Sequence, residues 1–293
     1  MSQFYLAALQ LALCLSPMAI GIFITMKVFN IPDITTDGSY TLGATVTAVL
    51  MTAHYPIALV LPISILAGAM AGTATGFIHT KLKIDALLSG ILVMTALYSV
   101  NLMIMGRSNI PLVNLKTIFS YFNGMGNEVY GQLVMALMMA LVILLLIIYL
   151  LKTDFGIAMR ATGNNPVMTS ALGINNDRIK IIGLALSNSL TALSGFLVAQ
   201  YQGFSDINMG IGIVITGLGS VLIADALRNW FHVKKISMQL ILVLVGAIAF
   251  QSVLAFTLSI GIDPNFLKMV TAVFVLIIVA LPRISSSMSK NRS

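Results

Sequence analysis

The amino-acid sequence predicts an all-α polytopic membrane protein with about eight to ten membrane-spanning segments. Three observations carry that prediction. Of 293 residues, 58% are apolar and 9% charged, with a mean hydropathy of +1.00. A soluble domain is about 25% charged, so lipid must cover much of this surface. The apolar residues fall in long runs, and about 20 such residues span a bilayer core as a helix. The cations sit in the short intervals between runs, as topology signals do. The net charge of +7 admits nucleic acid as a partner, but no stripe of cations with interleaved aromatics is present, so none is expected. A single transmembrane domain over residues 1–293 follows.

Long apolar runs lie at about 4–26, 57–78, 86–105, 130–151, 180–200, 237–257 and 266–281. The first is too long for a signal-peptide core and lacks a basic leader, so it reads as a retained span. Cys14 within it has no second cysteine to pair with and reads as a small buried hydrophobe. Shorter, glycine-rich runs at about 40–54 and 210–226 follow irregular stretches at 33–38 and 203–210. They read either as broken helices near the midplane or as two short, complete spans. Gly68, Gly72 and Gly76 repeat along one face of the run at 57–78, where a neighbouring backbone can approach closely.

Orientation follows from lysine and arginine. With 152–180 on the cytoplasmic side and alternation from there, the loops at 27–39, 79–85, 152–180 and 228–236 and the tail after Leu281 hold thirteen of the sixteen cations. Arg107, Lys116 and Lys268 remain on the opposite side, which puts the C-terminus inside. The N-terminus lies outside if 40–54 crosses fully and inside if it re-enters.

The interval 152–180 is more than a connector. Asn165 suits an N-cap and Pro166 the first helical position. Val167 to Leu172 make under two turns, and Gly173 is placed to end them in a left-handed conformation. Val167, Met168, Ala171 and Leu172 fall near one side. So short a helix cannot hold itself in water. Either a groove on another protein or anionic lipid headgroups must cover its apolar side.

The stretch RATGNNPVMTSALGI at 160–174, followed by basic residues and a span, resembles the coupling segment of the permease subunits of ABC importers. The branch it is similar to includes branched-chain amino acid and ribose permeases. PDITTDGSYTLG at 32–43 resembles that family's approach to its second membrane segment, especially in a subgroup of uncharacterised and tryptophan-type permeases. The likeness runs from about residue 11 to 282. It implies a type II-like ABC importer permease in a bacterial inner membrane, paired with a second copy or a homologue, a homodimer being favoured. Two cytoplasmic ATPase subunits and an extracytoplasmic solute-binding protein complete the implied assembly. Carried over by position, Arg160 to Gly173 contact the ATPase. Pro166, Val167, Met168 and Leu172 are its inserted contacts, with Ala171 beside them. Asn164 and Asn165 are caps, and Arg160 pairs with an acidic residue or orients the loop. The implied solute is a small organic molecule, an amino acid with aromatic ones included.

No G-x-x-x-x-G-K-[ST] motif occurs, so this chain is not expected to be an enzyme or to hold a cofactor; ATP and Mg belong to the partner ATPase. His54, His79 and His232 share no ligand spacing with one another or with Cys14, so no metal site is expected. Leu193-Ser194-Gly195 and Gly219-Ser220 lack the glycine-flanked pattern of a serine nucleophile. Polar residues within spans are costly and face protein or water. Candidates for a polar path are Asp37, Ser39, Tyr40, Tyr98, Asn101, Asn188, Thr216 and Ser220, with helix-to-helix hydrogen bonding as the other reading of each. Asp225 is placed to pair with Arg228 one turn on. The alternative class, an ion-coupled secondary carrier, calls for a charge deep in a long span, and no long run holds one centrally.

Overall fold

Backbone groups in hydrocarbon must be satisfied internally, and helices do so. The computed structural model describes residues 2–122, 128–263 and 266–290. Residue 292, one of the tail cations, lies outside the described residues. Among the described residues, nine helices have 18 residues or more. They are α1 (Ser2–Phe23), α2 (Thr35–Thr52), α3 (Ile57–Lys81), α4 (Ala86–Met105), α5 (Glu128–Lys152), α8 (Asn176–Gln202), α9 (Ile213–Trp230), α10 (Ile236–Ser259) and α11 (Leu267–Lys290). Between α5 and α8 lie the short helices α6 (Asp154–Asn164) and α7 (Pro166–Ala171). Seven of the nine are long and apolar enough to cross a bilayer. The exceptions are α2, rich in Thr, Ser and Gly, and α11, whose apolar stretch is Met269–Ile278. The chain is an all-α, multi-pass membrane protein.

Contacts sort the connections to two ends. At one end Lys27 pairs with Asp225 at 2.8 Å, Lys81 with Asp177 at 2.9 Å, and Asn30 donates to the Gly163 carbonyl at 3.3 Å. At the other end β1 (Asn109–Pro111) pairs antiparallel with β2 (Phe204–Asp206), and the Gln200 side chain accepts from the Ile118 N–H at 2.8 Å. The lysine-rich loops therefore gather at a common end.

At the centre stand α1 and α8, buried along most of their length, whereas α3, α4 and α5 each leave an aliphatic face outward. The glycine stripe of α3 faces α8. A side chain at Gly68 would strike the Asn188 carbonyl, one at Gly72 the Leu184 carbonyl, and one at Gly76 the backbone of Ile181. Pro17 interrupts α1; the Met18 N–H donates to the Ser194 hydroxyl at 2.8 Å, and Ser16 donates to the Leu13 carbonyl at 2.7 Å. Ser194 is thus a helix-to-helix hydrogen-bonding residue. After Phe23, α1 closes in a π-helical turn, Ile24–Val28.

One sequence expectation needs correction. Residues 35–38 are helical, because the Asp33 carboxylate accepts the Thr35 N–H at 2.9 Å and starts α2 earlier than the glycine content suggests. Beyond Leu281 the chain continues as helix to Lys290.

Candidate functional site

Two polar clusters organise the molecule, and both are built on α8. The first holds the short helix α7. Asn165 caps it, its side-chain oxygen accepting the Met168 N–H at 3.0 Å, with Pro166 in the first turn. Gly173, at φ +80°, turns the chain out, and Ile174 N–H donates to the Thr169 carbonyl at 3.0 Å. The helix covers Pro166–Ala171, with Leu172 at its C-cap, a shift of one residue from the sequence reading. Val167, Met168 and Leu172 are 79, 57 and 67% exposed, and Asn164, Pro166, Ala171 and Gly173 are exposed too. Arg160 stands apart on α6, half-buried, its Nε donating to the Gly156 carbonyl at 3.4 Å.

The sequence reading missed Asn176. Its side-chain oxygen accepts from the Thr169 hydroxyl at 2.7 Å and the Thr162 hydroxyl at 3.2 Å. Its amide donates to the Pro166 carbonyl at 2.6 Å and the Ser170 hydroxyl at 2.8 Å. One side chain therefore ties α6 and α7 to the first turn of α8. At a net value of about 1 kcal/mol per bond, the set offsets much of the ordering cost that would melt a helix this short. Asn175, its neighbour, caps α8, accepting the Arg178 N–H at 3.1 Å.

The second cluster surrounds Asn188, at the middle of α8. Its amide donates to the Asp33 carboxylate at 2.7 Å and to the Leu184 carbonyl at 3.0 Å. Its oxygen accepts from the Ser39 hydroxyl at 2.7 Å. Thr35 and Thr75 share a hydrogen bond of 2.7 Å alongside. These contacts place the first turns of α2 at the depth of α8's midpoint. Residues 29–34 run back there without helical structure after α1 ends. On the next face of the same turns, the Asp37 carboxylate accepts the N–H groups of Gly212 at 2.8 Å and Val214 at 2.9 Å. Asp37 is thus the N-terminal cap of α9, supplied from another helix, where a negative charge meets unpaired amides and the positive helix end. Gly210 lies against the Asp37 carbonyl, an approach that only a glycine allows. The two short runs singled out in the sequence are unbroken 18-residue helices whose starts meet in the interior. Each is preceded by non-helical chain.

Residues 4–280 match the family described as branched-chain amino acid transport system, permease component. The chain belongs to this family. It is the permease component of an ABC-type transport system and is not itself catalytic. It is 40% identical over 282 residues to the tyrosine transport system permease protein of Clostridioides difficile, covering 96% of this chain and 92% of the relative. An uncharacterised protein of Rickettsia prowazekii is 33% identical over 277 residues, covering 93% of this chain and 95% of the relative. More distant is the ribose import permease protein of Haemophilus influenzae, 23% identical over 206 residues, covering 70% of this chain and 63% of the relative.

Within the permease, Asp37, Ser39, Tyr40, Asn101, Asn188 and Ser220 are all buried. Asn101 joins the second cluster, donating to the Gly38 carbonyl at 3.3 Å, while its side-chain oxygen has no partner among the described residues. Ser220 donates to the Thr216 carbonyl at 2.8 Å, and Thr216 is half-buried on α9. Tyr98 stands apart, 46% exposed on the outer face of α4. Asp225 pairs with Arg228 at 3.4 Å, as expected, and more closely with Lys27. The missed Asp33 sits beside Pro32, where a turn-forming sequence gave no sign that the carboxylate folds inward. Two grooves, about 880 Å³ between α2, α3 and α4 and about 550 Å³ beside α5, have predominantly apolar linings, with Thr153, Ser189 and Tyr149 the polar side chains of the second. They suit acyl chains better than a polar solute.

Proposed function

We propose that this permease is the membrane subunit of an ATP-driven importer for an amino acid, aromatic ones included, in the bacterial inner membrane. The observation that carries this reading is α7: capped, tied down by Asn176, and turning Val167, Met168 and Leu172 outward. Apolar side chains held rigidly in the open suit a groove on a cytoplasmic ATPase subunit, with Pro166, Ala171 and Gly173 shaping the contact and Asn164 at its edge. Two such ATPases, using ATP and Mg, drive alternating access. This chain holds no cofactor of its own. Arg160, bonded to its own helix, orients the segment.

The grouping of the basic loops at one end supports a cytoplasmic face there, with the C-terminus inside and the N-terminus outside. Solute comes from an extracytoplasmic binding protein at the β1–β2 end. Pro32 and Ile211, exposed at mid-depth beside non-helical backbone, support a second copy of the chain around a shared path. Such backbone is tolerated in a membrane only against protein or water. In this reading Asp37, Ser39, Tyr40, Asn101, Asn188, Thr216 and Ser220 shape the wall behind that path, and Tyr98 faces the second copy or lipid. The amino-acid assignment is supported by the 40% identity to a tyrosine permease.

The test is purification of the permease with its ATPase. Val167→Asp with Leu172→Asp should abolish copurification and ATP-dependent uptake while the permease remains folded in detergent. Undiminished uptake with no ATPase present would sink the proposal.

A further inference from the structure

Four elements converge on a small cavity at the basic end of the molecule. It measures about 150 Å³ and lies between the last turns of α1, the end of α6, and the turn joining α9 to α10. Its polar lining is Lys27, Arg160, Asn164, Arg228, Lys234 and Gln239. Four are cations, two are amides that can donate, and none is a carboxylate. Asp225 reaches Lys27 and Arg228 without itself lining the cavity. Arg160 and Lys234 have no ion-pair partner among the described residues. Asp225 offsets part of this charge, and an added anion would offset the repulsion that remains among cations gathered from separate elements.

We infer that this cavity binds the phosphate of an anionic phospholipid headgroup. Its size, about five waters by liquid volume, admits a phosphodiester but not a whole lipid. Its apolar walls are Phe23, Val28 and Ile236, the closing residues of one span and the opening residue of another. That is the depth of headgroups, whereas the exposed residues of α7 mark the separate surface left for a protein. The exposed, stacked Trp230 and Phe231, 5.6 Å between ring centres, sit in the same α9–α10 turn, and such rings favour the membrane–water boundary. Basic pockets between spans on the cytoplasmic side hold lipid headgroups by the same chemistry. The sidedness rests on the reading proposed above; the binding itself does not.

Native mass spectrometry of the full-length permease in non-ionic detergent tests the inference. The probes are phosphatidylglycerol, phosphatidylcholine with the same acyl chains, and inorganic phosphate. One phosphatidylglycerol should be retained per chain in preference to phosphatidylcholine. Arg160→Gln with Lys234→Gln should weaken it about twenty-five-fold, at about fivefold per cation. Lys116→Gln, at the opposite end, should leave it unchanged. If the double variant does not fold, Gln239→Glu puts a repelling carboxylate in the cavity and should likewise weaken retention. Equal retention of the neutral lipid, unchanged retention in the folded double variant, or binding of inorganic phosphate alone would each overturn the site. So would loss of ATPase copurification in the double variant with lipid retention intact, which would assign these cations to a protein contact. Because detergent has no sides, failure here is separable from failure of the orientation, which a C-terminal reporter fusion reads independently.

Discussion

Asn176 and Asn188 stand on the same helix, and each gathers a polar cluster, yet the clusters differ in what they leave open. Around Asn188 the bonds turn inward: carboxylate, hydroxyl and carbonyl are paired in a buried site. Around Asn176 the bonds also close, but they do so beneath three exposed aliphatic side chains. Buried polarity paired across helices, with nothing apolar held out, is the mark of internal architecture, even though the Asn101 side-chain oxygen has no partner among the described residues. Satisfied polarity that holds apolar groups out in water is the mark of a surface awaiting a partner.

That contrast can be broken or sharpened by substitution. The largest effect is expected at the interior cluster. Asn188→Leu leaves the Asp33 carboxylate without its amide donor in a buried site and should cost about 3 kcal/mol, read as a loss of thermal stability in detergent. A variant as stable as the parent would refute the architectural role. Asp37→Ala, which uncaps α9 from across the fold, should destabilise by about 2–3 kcal/mol. Asp37→Asn should recover part of this, since its oxygen can still accept one amide. Gly72→Val, against the Leu184 carbonyl, should cost about 1–3 kcal/mol through overpacking, whereas the same change at exposed Gly173 should act through backbone strain instead.

At the outer cluster the readout changes. Asn176→Ala should lower ATPase copurification and uptake severalfold while the melting temperature of the membrane bundle hardly moves, because the loss, at about 1 kcal/mol per bond, is local to α6, α7 and the start of α8. If melting falls as far as in Asn188→Leu, the two clusters are not distinct in kind. The smallest effect belongs to Lys81→Ala, which breaks a half-exposed ion pair with Asp177 and should change stability by less than about 1 kcal/mol.

Much of this was legible in the sequence because the controlling signals are local. The apolar runs place the spans, the glycines at 68, 72 and 76 mark a close helix contact, and Asn165-Pro166 with Gly173 delimits α7 almost to the residue. What escaped depends on contacts distant along the chain. Nothing near Asp33 or Asp37 tells that one carboxylate meets a side chain 155 residues away and the other a helix start 175 residues away. Asn176 escaped for a different reason. Two adjacent asparagines offer the same cap chemistry, and only the placement of α7 decides which one caps and which one bonds across. The path candidates were chosen for polarity within spans, and that criterion also selects residues whose polarity is consumed by neighbouring helices.

The unbroken run of α8 has a mechanical consequence. From Asn176 to Asn188 the helix rises about 18 Å at 1.5 Å per residue. If that segment pivots as a rigid rod near Asn188, a tilt of about 10° sweeps its Asn176 end through about 3 Å. Pivoted at the other end, the same tilt carries Asn188 sideways by the length of a hydrogen bond, enough to exchange its partners Asp33 and Ser39. Distance measurements between spin labels at the two ends, with and without nucleotide, would tell which end is the fulcrum.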